Sequence, residues 1–213
     1  MTSSTAVRSP GRSAPGRVTT KRVIDLTMGT LLLLLTLPAM AVICLAIMCE
    51  GGGPVFHRQA RVGRGGRPFS MWKFRTMHIG AHAARHTFFD LNESDGHLFK
   101  ISRDPRVTPV GRYLRRASLD ELPQLFNVVR GEMSLVGPRP LLVEDSDYTG
   151  PALERLRVPP GVTGLWQVSG RSDLPWEEML RLDLHYVVHQ STLLDLAILC
   201  RTVPAVLTAR GAR

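Results

Sequence analysis

The stretch LTMGTLLLLLTLPAMAVICLAIMC, from Leu26 to Cys49, decides the architecture, because it contains no charged side chain. Its 24 residues are enough to cross the hydrocarbon core of a bilayer as an α-helix. Pro38 lies near the midpoint, where its missing N–H opens the hydrogen-bond ladder of a helix. The sequence therefore predicts a membrane element near the N-terminus.

The charges on the two sides of this stretch favour the same side of a membrane. Basic residues precede it, and others follow it at Arg58, Arg61, Arg64 and Arg67. Flanks rich in Lys and Arg stay in the cytoplasm. A straight span separates the two flanks, whereas a helix broken at Pro38 returns both to one face. From the residues alone, both arrangements stay open. A cleaved signal peptide fits less well, because the apolar run continues past its candidate cut site at residues 39–41.

Composition bounds the kind of protein and its partners. The chain has 213 residues, 44% of them hydrophobic, which suffices for one domain with an appendage. The net charge is +9, and no acid occurs before Asp25 to balance the basic N-terminal arm. Such an arm indicates an anionic partner, namely membrane lipid, nucleic acid or a phosphorylated substrate. The three cysteines form no C-x-x-C pair and predict no disulfide framework.

Local patterns predict the elements of an α+β fold. Two strands at 55–63 and 68–77 flank the turn RGGR, which is typical of a β-hairpin. Helices are predicted at 78–91, 112–118 and 119–131, the last ending at Gly131 as a C-cap. A short strand and a stiff turn follow at 132–142, then a loop at 157–172. Two amphipathic helices are predicted at 175–190 and 192–207.

Adjacent carboxylates at Asp120 and Glu121 follow a basic cluster and precede an apolar run. Ser118 and Glu121 fit the S-x-x-E capping box, so a purely structural role for these acids is one interpretation. A reaction centre is the other. Further along, Pro138 and Pro140 hold Arg139 in a stiff turn, which suits a guanidinium that binds phosphate. A loop ion pair is the alternative for Arg139.

Several long motifs, in one order along the chain, carry a resemblance to a known family. KRVIDL precedes the apolar stretch, and PVFHRQARVGRGGRPFSMWKFRTM follows it. DPRVTPVGRYLRRASLDELPQLFNVVRGEMSLVGPRP and PPGVTGLWQVSGRS come next. Over roughly residues 21–208 the chain resembles the bacterial sugar transferase family, the monotopic polyprenyl-phosphate phosphoglycosyl transferases that initiate surface glycoconjugates such as exopolysaccharides. Ordered motifs of this length are more specific than any single short motif.

The resemblance implies a reaction and its residues. Asp120 would attack the β-phosphate of a UDP-sugar, release UMP and hold the sugar phosphate as an acyl phosphate. Polyprenyl (undecaprenyl) phosphate would then take the sugar phosphate, giving a polyprenyl-diphosphate sugar. Glu121 would hold Mg²⁺ with Asp120 or activate the acceptor. Arg115 and Arg139 match family arginines that engage phosphate. A carboxylate that attacks a diphosphate needs such cations, because two anions meet. The residues TGLWQVSGR in the last motif favour a hexose as the transferred sugar.

The remaining expected contacts lie at the membrane and the substrate. Arg171 is a candidate contact to nucleotide or sugar phosphate. Lys21, Arg22, Lys73 and Arg75 are expected to meet lipid headgroups at the interface. Trp166, in the same motif as Arg171, is expected to belong to the core.

The resemblance also implies where the parts of the chain lie. The family has a re-entrant helix–break–helix and a catalytic domain on the cytoplasmic face of the cell membrane, which resolves the choice left open above. The family break is often Ser-Pro, and here it is Leu37-Pro38, with Thr36 as the hydroxyl that could satisfy a freed carbonyl. We expect a disordered basic tail at 1–20, the re-entrant helix at 21–50, the catalytic domain at 51–208 and a tail at 209–213.

Two further expectations concern organisation and partners. Many family members carry an extra multi-span N-terminal region, and we expect this chain to need no further domain for catalysis. The alternative function is a non-catalytic, membrane-anchored basic protein that binds nucleic acid or serves as a scaffold. The charge supports that alternative, but no recognised nucleic-acid-binding module does, so we expect no nucleic-acid partner.

Overall fold

One long helix, two small sheets and several shorter helices form the described part of the chain, so the predicted α+β class is confirmed. The computed structural model describes residues 15–81, 87–88, 101, 104–143, 149–170 and 174–208, with the backbone alone at 15–19 and 207. The tail predicted at 209–213 and most of the helix predicted at 78–91 lie outside these residues.

Helix α1, Pro15–Gly51, contains the whole apolar stretch. Its segment Thr20–Gly51 is long and apolar enough to cross a membrane. The boundary predicted after residue 20 falls inside α1, because the helix begins at Pro15, and proline suits a first helical turn. Large apolar side chains are exposed along its outer side: Leu31, Leu34, Leu35, Val42, Leu45 and Met48.

The break predicted at Pro38 is not present, because α1 continues through that residue as a single helix. Proline provides no N–H for the carbonyl of Leu34, four residues earlier. The Thr36 hydroxyl does not replace that donor, since it donates to the carbonyls of Leu32 at 2.8 Å and Leu33 at 3.2 Å. One lost hydrogen bond is thus insufficient to divide the helix here.

Packing on the rest of the protein supports α1 on both sides of Pro38. Before it, Met28, Leu32 and Leu33 pack against the main core. After it, buried side chains of the helix join a second cluster that also contains residues from the hairpin and the next helix: Met40, Ile43, Ile47, Phe74 and Leu114. Tertiary contacts therefore favour a continuous helix where the local sequence favours a break.

The predicted hairpin is confirmed. Strands β1, Phe56–Val62, and β2, Pro68–Phe74, pair antiparallel from Phe56 opposite Phe74 to Val62 opposite Pro68. A 3₁₀ turn at Arg64–Gly66 joins them, and Gly65 there has φ of 67°, a left-handed value that glycine adopts without strain.

Two short helices follow, with the candidate acids between them. Helix α2, Pro109–Arg116, is capped by Thr108, whose hydroxyl accepts the Gly111 N–H. Helix α3, Gln124–Arg130, ends at Gly131 with φ of 85°, which confirms the predicted C-cap. The helix predicted over 119–131 is shorter than expected, because residues 119–121 form a separate 3₁₀ turn before Pro123.

The second sheet pairs strands that are far apart in sequence. Strand β3, Ser134–Val136, is parallel to β4, Gly161–Thr163. Helix α4, Leu165–Ser169, follows β4 directly. The loop predicted at 157–172 therefore contains a strand and a helix, and that prediction was wrong in this part.

The two predicted C-terminal helices are confirmed as α5, Trp176–His189, and α6, Thr192–Leu207. Met179 and Tyr186 of α5 and Ile198 of α6 are buried. These helices cover the small sheet, and the core between them includes Leu135, Val136 and Leu165.

Candidate active site

The adjacent acids lie at the tight connection between α2 and α3. Ser118 has φ of 54°, and its side chain makes no capping hydrogen bond. The capping-box interpretation is therefore wrong, because a left-handed residue turns the chain before the acids instead of starting a helix. Leu119–Glu121 form a 3₁₀ turn, and Asp120 is 8% exposed. Burial of a carboxylate without a cap partner indicates a role other than helix initiation.

Glu121 is bound by two cations from different parts of the fold. Lys73 of β2 donates to Oε1 at 3.0 Å. Arg139 donates to both oxygens, from Nη1 to Oε2 at 3.1 Å and from Nη2 to Oε1. Burial raises the pKa of Glu121, but the neighbouring Arg139 and Lys73 outweigh burial and hold it far below its ordinary value. Glu121 is therefore an ionised anchor for two cations.

Asp120 has a different environment from its neighbour. Among the described residues, no side chain or backbone group donates a hydrogen bond to its carboxylate. The pKa of Asp120 is raised overall, mainly because the carboxylate is buried. Lys73, Arg115 and Arg139 lower this pKa, whereas the neighbouring charge of Glu121 raises it. A desolvated carboxylate without hydrogen-bond donors is a better nucleophile than a solvated one, and the nearby cations can offset its repulsion from an anionic phosphate.

Arg115 and Arg139, which the sequence predicts as phosphate-binding residues, both lie near Asp120 and lower its pKa. Arg115 of α2 donates from Nε to the Thr76 hydroxyl at 2.9 Å. Burial lowers the pKa of Arg115, and nearby Asp120 raises it. The guanidinium remains a cation, because even a lowered arginine pKa stays well above neutrality. The two arginines can thus neutralise charge that approaches Asp120.

A buried ion pair that the sequence analysis did not anticipate supports Arg139. Arg155 donates from Nη2 to the Arg139 carbonyl at 2.9 Å. The same guanidinium binds Asp183 of α5, at 2.9 Å from Nε and 2.7 Å from Nη2 to Oδ2. Burial raises the pKa of Asp183 to about 6 although Arg155 lowers it. These residues are 28 positions apart, so no local sequence signal pairs them.

A small cleft adjoins the Arg139 turn. Arg61, Arg155, Trp166 and Trp176 contribute to its lining. Trp166 is buried, which fits its predicted place in the core. Its indole Nε1 has no hydrogen-bond partner among the described residues.

The residues expected to meet lipid headgroups have partners within the protein. Lys21 pairs with Asp195 of α6 at 2.6 Å. Arg22 donates to two carbonyls of α3, and Lys73 binds Glu121. Arg75 donates to the Gly51 carbonyl at 3.3 Å. Arg171 lies outside the described residues.

The magnesium ion expected at Asp120 and Glu121 stays a prediction, and the two carboxylates differ in how well they would suit it. The described residues contain no group of three or more His, Cys, Asp or Glu side chains able to hold a metal. Mg²⁺ often uses only one or two carboxylates together with substrate phosphates and waters. Asp120, which no described group hydrogen-bonds, fits such a site. Glu121 fits it less well, because Lys73 and Arg139 already bind its oxygens.

Comparison with known proteins gives a consistent result. A family model for bacterial sugar transferases matches residues 16–209. The exopolysaccharide production protein ExoY of Rhizobium meliloti is 42% identical over 196 residues, which cover 90% of this chain and 87% of that protein. The UDP-glucose:undecaprenyl-phosphate glucose-1-phosphate transferase of Caulobacter vibrioides is 42% identical over 202 residues, with 90% and 71% covered. The undecaprenyl-phosphate galactose phosphotransferase of Salmonella typhimurium is 38% identical over 200 residues, with 90% and 41% covered.

The relatives differ in how much of their length the chain matches. It spans 43% of the galactosyl transferase CpsE of Streptococcus agalactiae, at 39% identity, but most of the rhizobial protein. The matched region contains the acids, the flanking arginines and the long apolar helix.

Proposed function

Because the chain belongs to the bacterial sugar transferase family and is a transferase, we propose that it moves a sugar 1-phosphate from a UDP-sugar to polyprenyl phosphate. The products are UMP and a polyprenyl-diphosphate sugar. One observation carries the proposal: Asp120 is buried, is hydrogen-bonded by no described group, and lies among Lys73, Arg115 and Arg139. That arrangement serves a carboxylate that must approach a diphosphate.

In the first step, a carboxylate oxygen of Asp120 attacks the β-phosphorus of the donor. A bond forms between that oxygen and phosphorus, the bond from phosphorus to the bridging oxygen breaks, and the electron pair leaves with UMP. Arg115 and Arg139 offset the charge on the phosphoryl oxygens. Asp120 then carries the sugar phosphate as an acyl phosphate, which costs no proton transfer because its attacking form is the carboxylate.

In the second step, a phosphate oxygen of polyprenyl phosphate attacks the acyl phosphate and releases Asp120 as a carboxylate. The acceptor is already an anion, so it needs no strong base. Glu121 is a poor base, because its pKa is held far below its ordinary value. We therefore assign Glu121 to holding Lys73 and Arg139 in position.

Magnesium would be held by Asp120 together with the donor's diphosphate. There it would supply additional charge neutralisation and orient the diphosphate.

The names of the relatives support a proposal for the sugar donor, the acceptor and the pathway. Relatives that match 90% of this chain are named for transfer of galactose phosphate and glucose 1-phosphate to undecaprenyl phosphate, and another for exopolysaccharide production. We propose a hexose donor, UDP-glucose or UDP-galactose, undecaprenyl phosphate as the acceptor, and the first step of exopolysaccharide synthesis as the role.

We propose a monotopic arrangement on the cytoplasmic face, and the contacts of α1 support the monotopic part of this proposal. Arg22 near one end contacts α3, and Glu50 at the other end contacts α2. A helix that crosses the bilayer straight cannot touch one domain on one side with both ends. Exposed leucines between these ends provide a surface for lipid.

Cysteine labelling tests this arrangement. Two variants, both carrying Cys44→Ser and Cys200→Ser, each present one cysteine to an impermeant maleimide. The first keeps Cys49, and the second carries Thr2→Cys with Cys49→Ser. Both should be labelled in inside-out vesicles but not in intact cells. Labelling of one site from each side would show a straight span.

The reaction is tested by release of UMP. Purified protein in detergent is given Mg²⁺, undecaprenyl phosphate and a panel of UDP-sugars, alongside Asp120→Asn and the surface control Glu177→Gln. We expect UMP from a hexose donor in the wild type and the control, and none in Asp120→Asn. UMP release that survives in Asp120→Asn would overturn the assignment of the nucleophile.

A further inference from the structure

We propose that helix α1 is a positioning element for catalysis as well as a membrane anchor, because it caps both helices that flank Asp120 and Glu121. The catalytic part of this inference rests on the proposed function, and three sets of contacts made by α1 provide the evidence.

The first contact is at the start of α2. The Glu50 carboxylate accepts a hydrogen bond from the Val110 N–H at 2.7 Å. Val110 lies in the first turn of α2, where backbone N–H groups have no partner within the helix. A carboxylate there also suits the positive end of the helix dipole. Glu50, from the last turn of α1, thus acts as a cap for α2 that Thr108 supplements.

The second contact is at the end of α3. Arg22 donates from Nη1 to the Val128 carbonyl at 2.6 Å and from Nη2 to the Val129 carbonyl at 2.7 Å. These carbonyls lie in the last turn of α3, where intrahelical donors run out, although the Val128 carbonyl also accepts the Gly131 N–H at 3.0 Å. A guanidinium suits the negative end of the helix and serves both acceptors at once. Arg22 therefore caps the end of α3.

The third set of contacts lies under the acids. Leu119 and Leu122, the residues on either side of Asp120–Glu121, pack on the cluster that contains Ile43 and Ile47 of α1. Nearer the start of α1, a Cβ built on Gly29 would lie 2.9 Å from Cγ1 of the fully buried Val128. The helix thus approaches α3 closely as well as supporting the acids.

Together these contacts attach the segment α2–acids–α3 to one helix at its beginning, its middle and its end. Displacement of α1 would release a cap at each end and the packing beneath the acids. Asp120 therefore reaches its position among the cations only when α1 is packed against α2 and α3. Glu50 and Arg22 are positioning residues, because they act through the helices that carry the acids.

Four variants of the full chain in lipid nanodiscs test the inference. Glu50→Ala and Arg22→Gln remove the caps, whereas Glu50→Gln keeps an acceptor oxygen and Arg22→Lys keeps a cation. The measured quantities are kcat and KM for UMP release with UDP-galactose or UDP-glucose. Loss of a cap should lower kcat by roughly twofold to thirtyfold with little change in KM, and the conservative variants should recover part of the loss. Exposed Glu177→Gln and Arg64→Gln are matched controls.

Hydrogen exchange across residues 109–131 gives a second readout that does not need turnover. Exchange should be faster in Glu50→Ala and Arg22→Gln than in wild type and controls, at equal recovery in the nanodisc fraction. Wild-type kcat in both variants would overturn the inference. A lower kcat with unchanged exchange would also overturn it, because the loss of activity would then not arise from changes in α2 and α3. If the wild type releases no UMP, the proposed function fails, and the exchange data still decide whether α1 holds this segment.

Discussion

Arg139 binds both carboxylate oxygens of Glu121, and in doing so it places a guanidinium next to Asp120 without a direct hydrogen bond to that carboxylate. One acid thus holds the cation, and the other accepts no hydrogen bond from a described group. Two adjacent carboxylates of the same sequence motif acquire different roles because different elements contact them.

We expect Arg139→Lys to lower kcat/KM by about tenfold to a hundredfold. A lysine cannot bind both oxygens of Glu121, and a lost hydrogen bond to a charged group costs about 1.5–3 kcal/mol. The rate of UMP release measures the effect, with exposed Arg64→Lys as the control. Equal rates for the two variants would show that bidentate binding is dispensable.

Arg155→Met should destabilise the protein and lower activity. It leaves the buried Asp183 without its partner, which typically costs 3–5 kcal/mol, and it removes the donor to the Arg139 carbonyl. Adding Asp183→Asn should restore much of the melting temperature, because the buried charge is gone. Activity should stay low in the double variant, since Arg139 is still unsupported. Recovery of activity along with stability would assign Arg155 to folding alone.

The stability of Asp183→Asn relative to wild type should depend on pH. The folded protein raises the pKa of Asp183 to about 6, so between its ordinary value and about 6 the folded state binds more protons than the unfolded state. The contribution of this group to stability therefore falls as pH rises through that window and is constant above it. The variant should gain relative to wild type from pH 4 to pH 6.5, by about 1.4 kcal/mol for each pKa unit. Parallel melting curves across that range would place the pKa at its ordinary value.

Asp120→Asn should be more thermostable than wild type in the absence of Mg²⁺ and donor. The wild-type carboxylate is buried and lacks a described hydrogen-bond donor, and an amide of the same shape avoids the desolvation of a charge. Thermal unfolding in detergent measures the difference, with Glu177→Gln as the exposed control. A lower melting temperature for Asp120→Asn would mean that the carboxylate stabilises the fold.

The sequence predicted the features that depend on a few neighbouring residues. The glycine turn predicted the hairpin, and Gly131 predicted the end of α3, because each position needs a backbone conformation that glycine provides. The candidate acids and Arg139 were also found by their local context, and the structure places them together.

Features that depend on distant partners were missed. The left-handed Ser118 looked like a cap, since the S-x-x-E pattern carries no information about tertiary turns. Arg155 and Asp183 meet across 28 residues, and Lys21 meets Asp195 across 174. Lys21 and Arg22 fit lipid headgroups by charge alone, whereas folding supplied protein partners for both. Likewise, packing along α1 kept one helix where Pro38 favours two.

The most direct test of the account is the intact mass of the protein after incubation with its UDP-sugar and Mg²⁺, without polyprenyl phosphate. We predict a mass increase equal to one hexose 1-phosphate less one water, with release of about one UMP per active protein. The adduct should be lost on addition of undecaprenyl phosphate and absent in Asp120→Asn. UMP formation that requires undecaprenyl phosphate, with no adduct on a protein that turns over, would contradict a covalent intermediate on Asp120.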